Sequence, residues 1–169
     1  NTASSYSFVG SGERNQATLN SVVGGGLLNI ASGFSFVGSG VLNKALNGYS
    51  SIVGGFQNIT SGSYSFIGGG CFNIVGINSV VVGGTSNTAS GQISFIGGGN
   101  NNSILGSTSY NLIVGGNSNK IVGSTNSGHI IVGGSNNLSN NSSTGGGHST
   151  IVGGSFNTAS GAYSFIGAG

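Results

Sequence analysis

A chain of 169 residues is long enough for one domain, yet 37 are Gly, none is Pro, Met or Trp, and only 2% are charged, against about 7% Gly and about 25% charged residues in ordinary globular chains. Arg14, Lys44 and Lys120 against Glu13 give a formal charge of +2, too sparse to form a phosphate-binding stripe, which argues against nucleic acid as a partner. No apolar run approaches the ~20 residues of a membrane span, no signal-peptide pattern opens the chain, and a lone Cys71 provides neither a disulfide framework nor a thiolate metal site within one chain.

A Gly- and Ser-rich linker of low charge would be disordered, but here 36% of residues are apolar and they recur in register. From the N-terminus, an Asn returns at Asn1, Asn15, Asn29, Asn43, Asn58, Asn73, Asn87, Asn102, Asn119, Asn137 and Asn157, with spacings of 14 or 15 that lengthen to 17, 18 and 20. Between successive Asn residues stands an aliphatic–Gly pair, from Val9-Gly10 to Ile166-Gly167, always Val or Ile before Gly. Residues 1–101 therefore read as regular repeats, and 102–169 as repeats lengthened by Ser-, Asn- and Gly-rich insertions. The whole of 1–169 is one repeat-array domain. Its start in the middle of a repeat reads as a piece of a longer fibre protein.

The repeat excludes helix, because Gly every few residues costs about 1 kcal/mol apiece and no 3.6-residue apolar stripe exists. Short β-branched or aromatic runs bounded by Gly, Asn and Ser predict strands and turns. At about 3.3 Å per residue a fourteen-residue coil has a perimeter of at most ~46 Å, room for two strands of four or five residues and two turns. The predicted fold is all-β: a parallel β-solenoid, or β-roll, of about eleven coils of roughly 14–20 residues, stacked at roughly 4.8 Å. The Asn residues are expected to form a ladder along one corner, since Asn tolerates left-handed backbone and bonds to nearby main chain. The small residue two after Asn (Ala3, Ala17, Ala31, Ala45, Ala89, Ala159) suits a thin interior.

Neighbouring residues of a strand point to opposite faces, yet both members of each pair before the Gly are apolar. The second member (Val9, Val23, Val37, Val53, Ile67, Val82, Ile96, Val114, Val132, Val152, Ile166) is assigned to the coil core. The first (Phe8, Val22, Phe36, Ile52, Phe66, Val81, Phe95, Ile113, Ile131, Ile151, Phe165) is assigned to a subunit interface; the reverse orientation satisfies the same pattern. A continuous apolar stripe exceeds what soluble monomers expose and predicts cover by sister chains side by side, most simply a homotrimer.

Asn20-Ser21-Val22-Val23-Gly24, Asn78-Ser79-Val80-Val81-Val82-Gly83 and the Asn-Thr-Ala-Ser-Gly of 87–91 and 157–161 resemble the head repeats of YadA-like trimeric autotransporter adhesins. Ser-Phe-Ile-Gly-Gly-Gly followed by Asn is similar to head-type repeats of phage and large-virus tail fibres. The resemblance implies a trimeric left-handed β-roll that projects from a cell or virion and attaches to a host surface. Phe before Val/Ile, doubled Gly and long C-terminal units depart from the bacterial pattern, so the collagen binding of those heads does not carry over.

Acid–base and nucleophilic chemistry needs carboxylates, His or an activated nucleophile. Glu13 is the only carboxylate, so the chain is not expected to be an enzyme, and the acidic cleft of a polysaccharide lyase is missing. Without Asp, calcium-binding rolls do not fit, and no metal or cofactor is expected. His129 and His148 are read as polar residues near loops; three imidazoles on a trimer axis is the alternative. Gly68-Gly69-Gly70 and Gly97-Gly98-Gly99 lack the Lys of a phosphate loop and read as coil corners. Glycosylation-type triplets begin at Asn58, Asn101, Asn137, Asn140 and Asn141, as expected in so Asn- and Ser-rich a chain. The late loops (107–111, 124–129, 139–149) are the candidate contacts for an unknown surface receptor. A monomeric ice-binding solenoid is the competing reading, but Thr2, Thr60, Thr88 and Thr158 are scattered.

Overall fold

In a computed structural model that describes residues 1–106, 110–123, 128–140 and 147–169, the chain is a parallel β-solenoid of about ten turns with no helix among those residues. Two eleven-stranded parallel sheets run its length. The first sheet contains Thr2–Ala3, Gln16–Thr18, Ile30–Ser32, Lys44–Ala45, Ile59–Thr60, Ile74–Val75, Thr88–Ala89, Ser103–Leu105, Lys120–Val122, Leu138–Ser139 and Thr158–Ala159. The second contains Phe8–Val9, Val22–Val23, Phe36–Val37, Ser51–Ile52, Phe66–Ile67, Val80–Val81, Ser94–Ile96, Asn111–Ile113, Ile130–Ile131, Thr150–Ile151 and Phe165–Ile166.

The strands have two or three residues, shorter than the four or five expected. The difference has a structural cause: each coil makes a third parallel contact, a single bridge running Glu13, Leu27, Val41, Phe56, Cys71, Thr85, Asn100, Asn117, Ser135, Ser155. Three short contacts divide the perimeter that two longer strands would occupy.

The core is one side chain thick on each side. From the first sheet come Ala17, Ala31, Ala45, Val75, Ala89, Ile104, Ile121 and Ala159; from the second come Val23, Val37, Ile52, Ile67, Val81, Ile96, Ile113, Ile131 and Ile151, all buried. Val9 and Ile166 are partly buried against it at the two ends. Ile104 and Ile121 stand at the Ala position in two of the lengthened coils, whereas Val75 stands there in a coil of ordinary length and Ser139 in the longest.

The assignment of faces from the aliphatic–Gly pair therefore needs correction in five coils. Val53, Val82, Val114, Val132 and Val152, assigned to the core, are 41–49% exposed and point outward. Ile52, Val81, Ile113, Ile131 and Ile151, assigned to the interface, are fully buried. Strand register gives the reason: Val37 pairs with Ile52, Ile67 with Val81, and Ile96 with Ile113. The fixed landmark is not the first Gly but the left-handed one three residues after the core aliphatic, Gly12, Gly26, Gly40, Gly55, Gly70, Gly84, Gly99, Gly116, Gly134 and Gly154, with φ between 84° and 102°. The position right after the aliphatic is Gly in some coils and Val in others, so counting back from the nearest Gly lands one residue off in the Val coils.

Candidate functional site

The Asn corner is a continuous ladder. Each Asn from Asn15 to Asn157 donates its backbone N–H to the Oδ1 of the Asn one coil earlier, at 2.9–3.1 Å. Its Nδ2 donates to the carbonyl four residues back, at 2.9–3.1 Å. The same Nδ2 reaches the carbonyl of the left-handed Gly one coil on, at 2.7–3.3 Å. From Asn15 to Asn137 these side chains are 0–1% exposed. A buried amide with donor and acceptor both engaged is structural and has nothing left to offer a ligand. The glycosylation-type triplets at Asn58 and Asn137 are thereby closed to an acceptor role.

A second ladder stands at the opposite corner, and the sequence reading gave it no role. Ser21, Ser35, Ser50, Ser65, Ser79, Ser94 and Ser149 are buried two residues before each core aliphatic. Ser21 N–H donates to Ser7 Oγ (3.1 Å), Ser35 N–H to Ser21 Oγ (3.2 Å) and Ser94 N–H to Ser79 Oγ (3.0 Å). Hydroxyls facing the core from the first sheet are satisfied here: Thr60 Oγ1 bonds to Ser50 Oγ at 3.0 Å. The signal was present as the Ser directly before the apolar pair at Ser21, Ser35, Ser65 and Ser94, but Ser50, Ser79 and Ser149 stand one residue further back.

Asn111 and His129 replace Ser in two successive coils of this ladder, with His129 N–H donating to Asn111 Oδ1 at 3.0 Å. His129 is fully buried, not a loop residue; its Nδ1 lies 2.7 Å from Ser149 Oγ and 2.9 Å from Ser139 Oγ. His148 is exposed, its Nδ1 3.0 Å from the Gly128 carbonyl and its ring 5.9 Å from that of Tyr163. Burial, and then the neighbouring His148, push the His129 pKa below its ordinary 6.5. Because the folded value is the lower one, stability is complete above pH 6.5 and falls as pH drops from there towards the folded pKa. The melting temperature is expected to fall through this acid window, and His129→Ser, which restores the ladder residue, is expected to flatten the slope. Calorimetry at several pH values checks this; an unchanged slope in the variant would rule out His129 as its source.

Side chains at both corners project from left-handed backbone, where each N–H donates along the stack, as from Leu42 to the Leu27 carbonyl and from Tyr64 to the Gly48 carbonyl. One corner carries aromatics: Phe34, Tyr49 and Tyr64 stack with centroids 5.3 and 5.1 Å apart and planes within 13°. Asn20 and Asn78 show what the backbone alone accepts at this corner, so the rings there serve the surface.

On the outward face of the second sheet, the two outward positions of each coil are filled in one of two ways. Phe8, Phe36, Phe66, Phe95 and Phe165 are each followed two residues later by Gly, with the ring Cε1 3.2–3.5 Å from where a Cβ on that Gly would lie. Where the first position is Ser51, Val80, Leu112, Ile130 or Thr150, the second is Val53, Val82, Val114, Val132 or Val152. Val22-Val23-Gly24 is the exception. The expected interface residues Phe8, Phe36, Phe66, Phe95 and Phe165 are 37–69% exposed on this face, and Val22 is half-buried on it.

Among the described residues no group of three or more His, Cys, Asp or Glu could hold a metal ion. Of the late loops expected to touch a receptor, 107–109, 124–127 and 141–146 lie outside the described residues. No protein-family model matches the chain, and no curated protein matches its sequence.

Proposed function

We propose that the chain is a non-enzymatic structural and adhesive module of an extracellular or virion-surface fibre, in which the outward face of the second sheet packs against identical copies as a homotrimer. The observation that carries the reading is the alternation on that face between Phe–Gly pairs and pairs that end in Val. Water wets a ragged face as readily as a level one, whereas a packed interface needs matched volume at every rung. The ring over the Gly fills the place that Val fills in neighbouring coils, so this column carries apolar atoms in every coil but the one at Val22–Gly24. Such a column exceeds the few hundred Å² that monomers leave uncovered.

The insertions that lengthen the late coils are the proposed surface contacts. Glu13 as the only carboxylate and a buried His129 give general acid–base chemistry little to work with, which supports a non-enzymatic role.

Light scattering on the eluting protein is expected to give three times the 16.4 kDa chain mass. The double variant Phe66→Asp, Val82→Asp places charges on two adjacent outward rungs, 37% and 48% exposed in the single chain, and is expected to elute as a folded monomer. A wild-type chain that is monomeric and folded overturns the reading.

A further inference from the structure

The outward face of the first sheet departs from its polar pattern at two levels among the described residues, residues 30–74 and the Lys120–Leu138 pair. Its outward ladder is polar at Thr2, Gln16, Thr88 and Ser103 but runs Ile30, Lys44, Ile59, Ile74 in between. The adjacent left-handed corner carries Leu28, Leu42 and Phe72 over the same coils, with Gln57 among them, and is polar at Ser86, Asn101, Ser118 and Asn136 before Phe156. Between the two ladders lies an open groove of about 280 Å³ lined by Leu42, Lys44, Gln57, Ile59, Phe72 and Ile74. Beside Lys120 and Leu138 the corner stays polar, at Ser118 and Asn136, so residues 28–74 are where apolar residues gather on both adjoining ladders, and that coincidence marks a local role.

We infer that this groove is a binding site for a small amphipathic monoanion, an alkyl or arylalkyl carboxylate. Its walls are aliphatic and aromatic, and Phe72 is held in place by edge-to-face packing on Phe56, centroids 5.3 Å apart at 89°. Lys44 is half-buried between Ile30 and Ile59. Among the described residues the one ion pair is Arg14–Glu13, and Glu13 is the chain's single carboxylate, so the Lys44 charge finds no side-chain counterion at home. An anion bound there gains a charge-assisted hydrogen bond from the ammonium, a polar contact from the Gln57 amide and apolar burial for its tail. The groove is slightly smaller than the roughly 300–1,000 Å³ that hold drug-sized ligands, which sets the tail at a medium chain. A second copy of this chain is a poor occupant, having only Glu13 to offer as a side-chain carboxylate. The site does not depend on the trimer reading, because it uses the other sheet.

Titration of the full chain with sodium octanoate, followed by amide chemical shifts, tests the proposal, with octanol as the uncharged comparison. Saturable shifts are expected at residues 42–74, with octanol at least ~tenfold weaker, the ratio that about 1.4 kcal/mol represents. Lys44→Gln is expected to remove the preference for octanoate over octanol, and Lys44→Arg to keep it. Equal binding of both compounds, or shifts spread along the Phe8–Phe165 face, would overturn it. The light-scattering mass of each variant separates this result from the state of assembly.

Discussion

Asn87→Ala is expected to destabilise the array by about 3–5 kcal/mol, because the buried groups it leaves unpaired cost about 1–3 kcal/mol each. Asn87 Oδ1 accepts the Asn102 N–H at 3.0 Å, and its Nδ2 caps the carbonyls of Gly83 and Gly99, both at 3.0 Å. Truncation strands the buried Asn102 N–H and takes the amide partner from the part-buried Gly83 carbonyl. The Gly99 carbonyl keeps the Thr85 N–H, which limits the loss. Asn87→Asp is expected to be at least as damaging, since it sets an oxygen where Nδ2 faces two carbonyl oxygens. Position matters as well as magnitude. Each coil touches only its neighbours, so a defect at mid-array weakens the coupling between the two halves. Thermal unfolding followed by circular dichroism is expected to show two transitions in place of one. A shift under ~0.5 kcal/mol, the range of ordinary surface changes, would show that the ladder is not what joins the coils.

The ladder that this substitution breaks was legible in the sequence because its physical demand is narrow. Few side chains can offer both donor and acceptor to three backbone groups in a space this small, so Asn recurs and its position can be read directly. The left-handed Gly is legible for the same reason. The face assignments were harder. Phe-Val-Gly at 36–38 and Ile-Val-Gly at 52–54 look like one motif, yet Val37 is buried and Val53 faces outward. Both positions tolerate β-branched residues, and only the inter-coil register, Val37 beside Ile52, separates them. Counting from the left-handed Gly resolves this, and the same count places His129 on the buried Ser column. The bridge column from Glu13 to Ser155 had no signal to read. The contact that recurs there is a backbone hydrogen bond, so the side chains range from Glu to Phe to Cys without pattern. The groove at Lys44 was hidden for the opposite reason: its residues sit at outward positions whose side-chain type varies from coil to coil, so no recurrent spacing marks them.

The paired glycines offer the second large effect, with its control one residue away. Gly84 has φ near 91°, and a Cβ built on it would lie 2.2 Å from the Gly99 carbonyl oxygen and 2.6 Å from Asn87 Nδ2. Both neighbours are fixed, one as backbone of the next coil and the other as a rung of the ladder. Gly84→Ala therefore has to push the coils apart or dislodge Asn87, and it adds the left-handed penalty for any residue with a Cβ. We expect a loss of about 3 kcal/mol or more, with the Asn87 amide bonds failing together with the turn. Gly83→Ala, its chain neighbour, meets nothing within 4 Å and keeps ordinary backbone, so its effect is expected within about 0.5 kcal/mol. The same contrast recurs at Gly69 and Gly70, Gly133 and Gly134, and Gly153 and Gly154, where the first glycine is unobstructed and the second is hemmed in by the next coil. Denaturant unfolding of the two Ala variants side by side checks the argument. Equal destabilisation would mean that close stacking at the second glycine is not the constraint. A large loss at Gly84 with none at Gly83 would mean that one glycine of each pair serves the stack, while the other leaves the outward face free for whatever covers it.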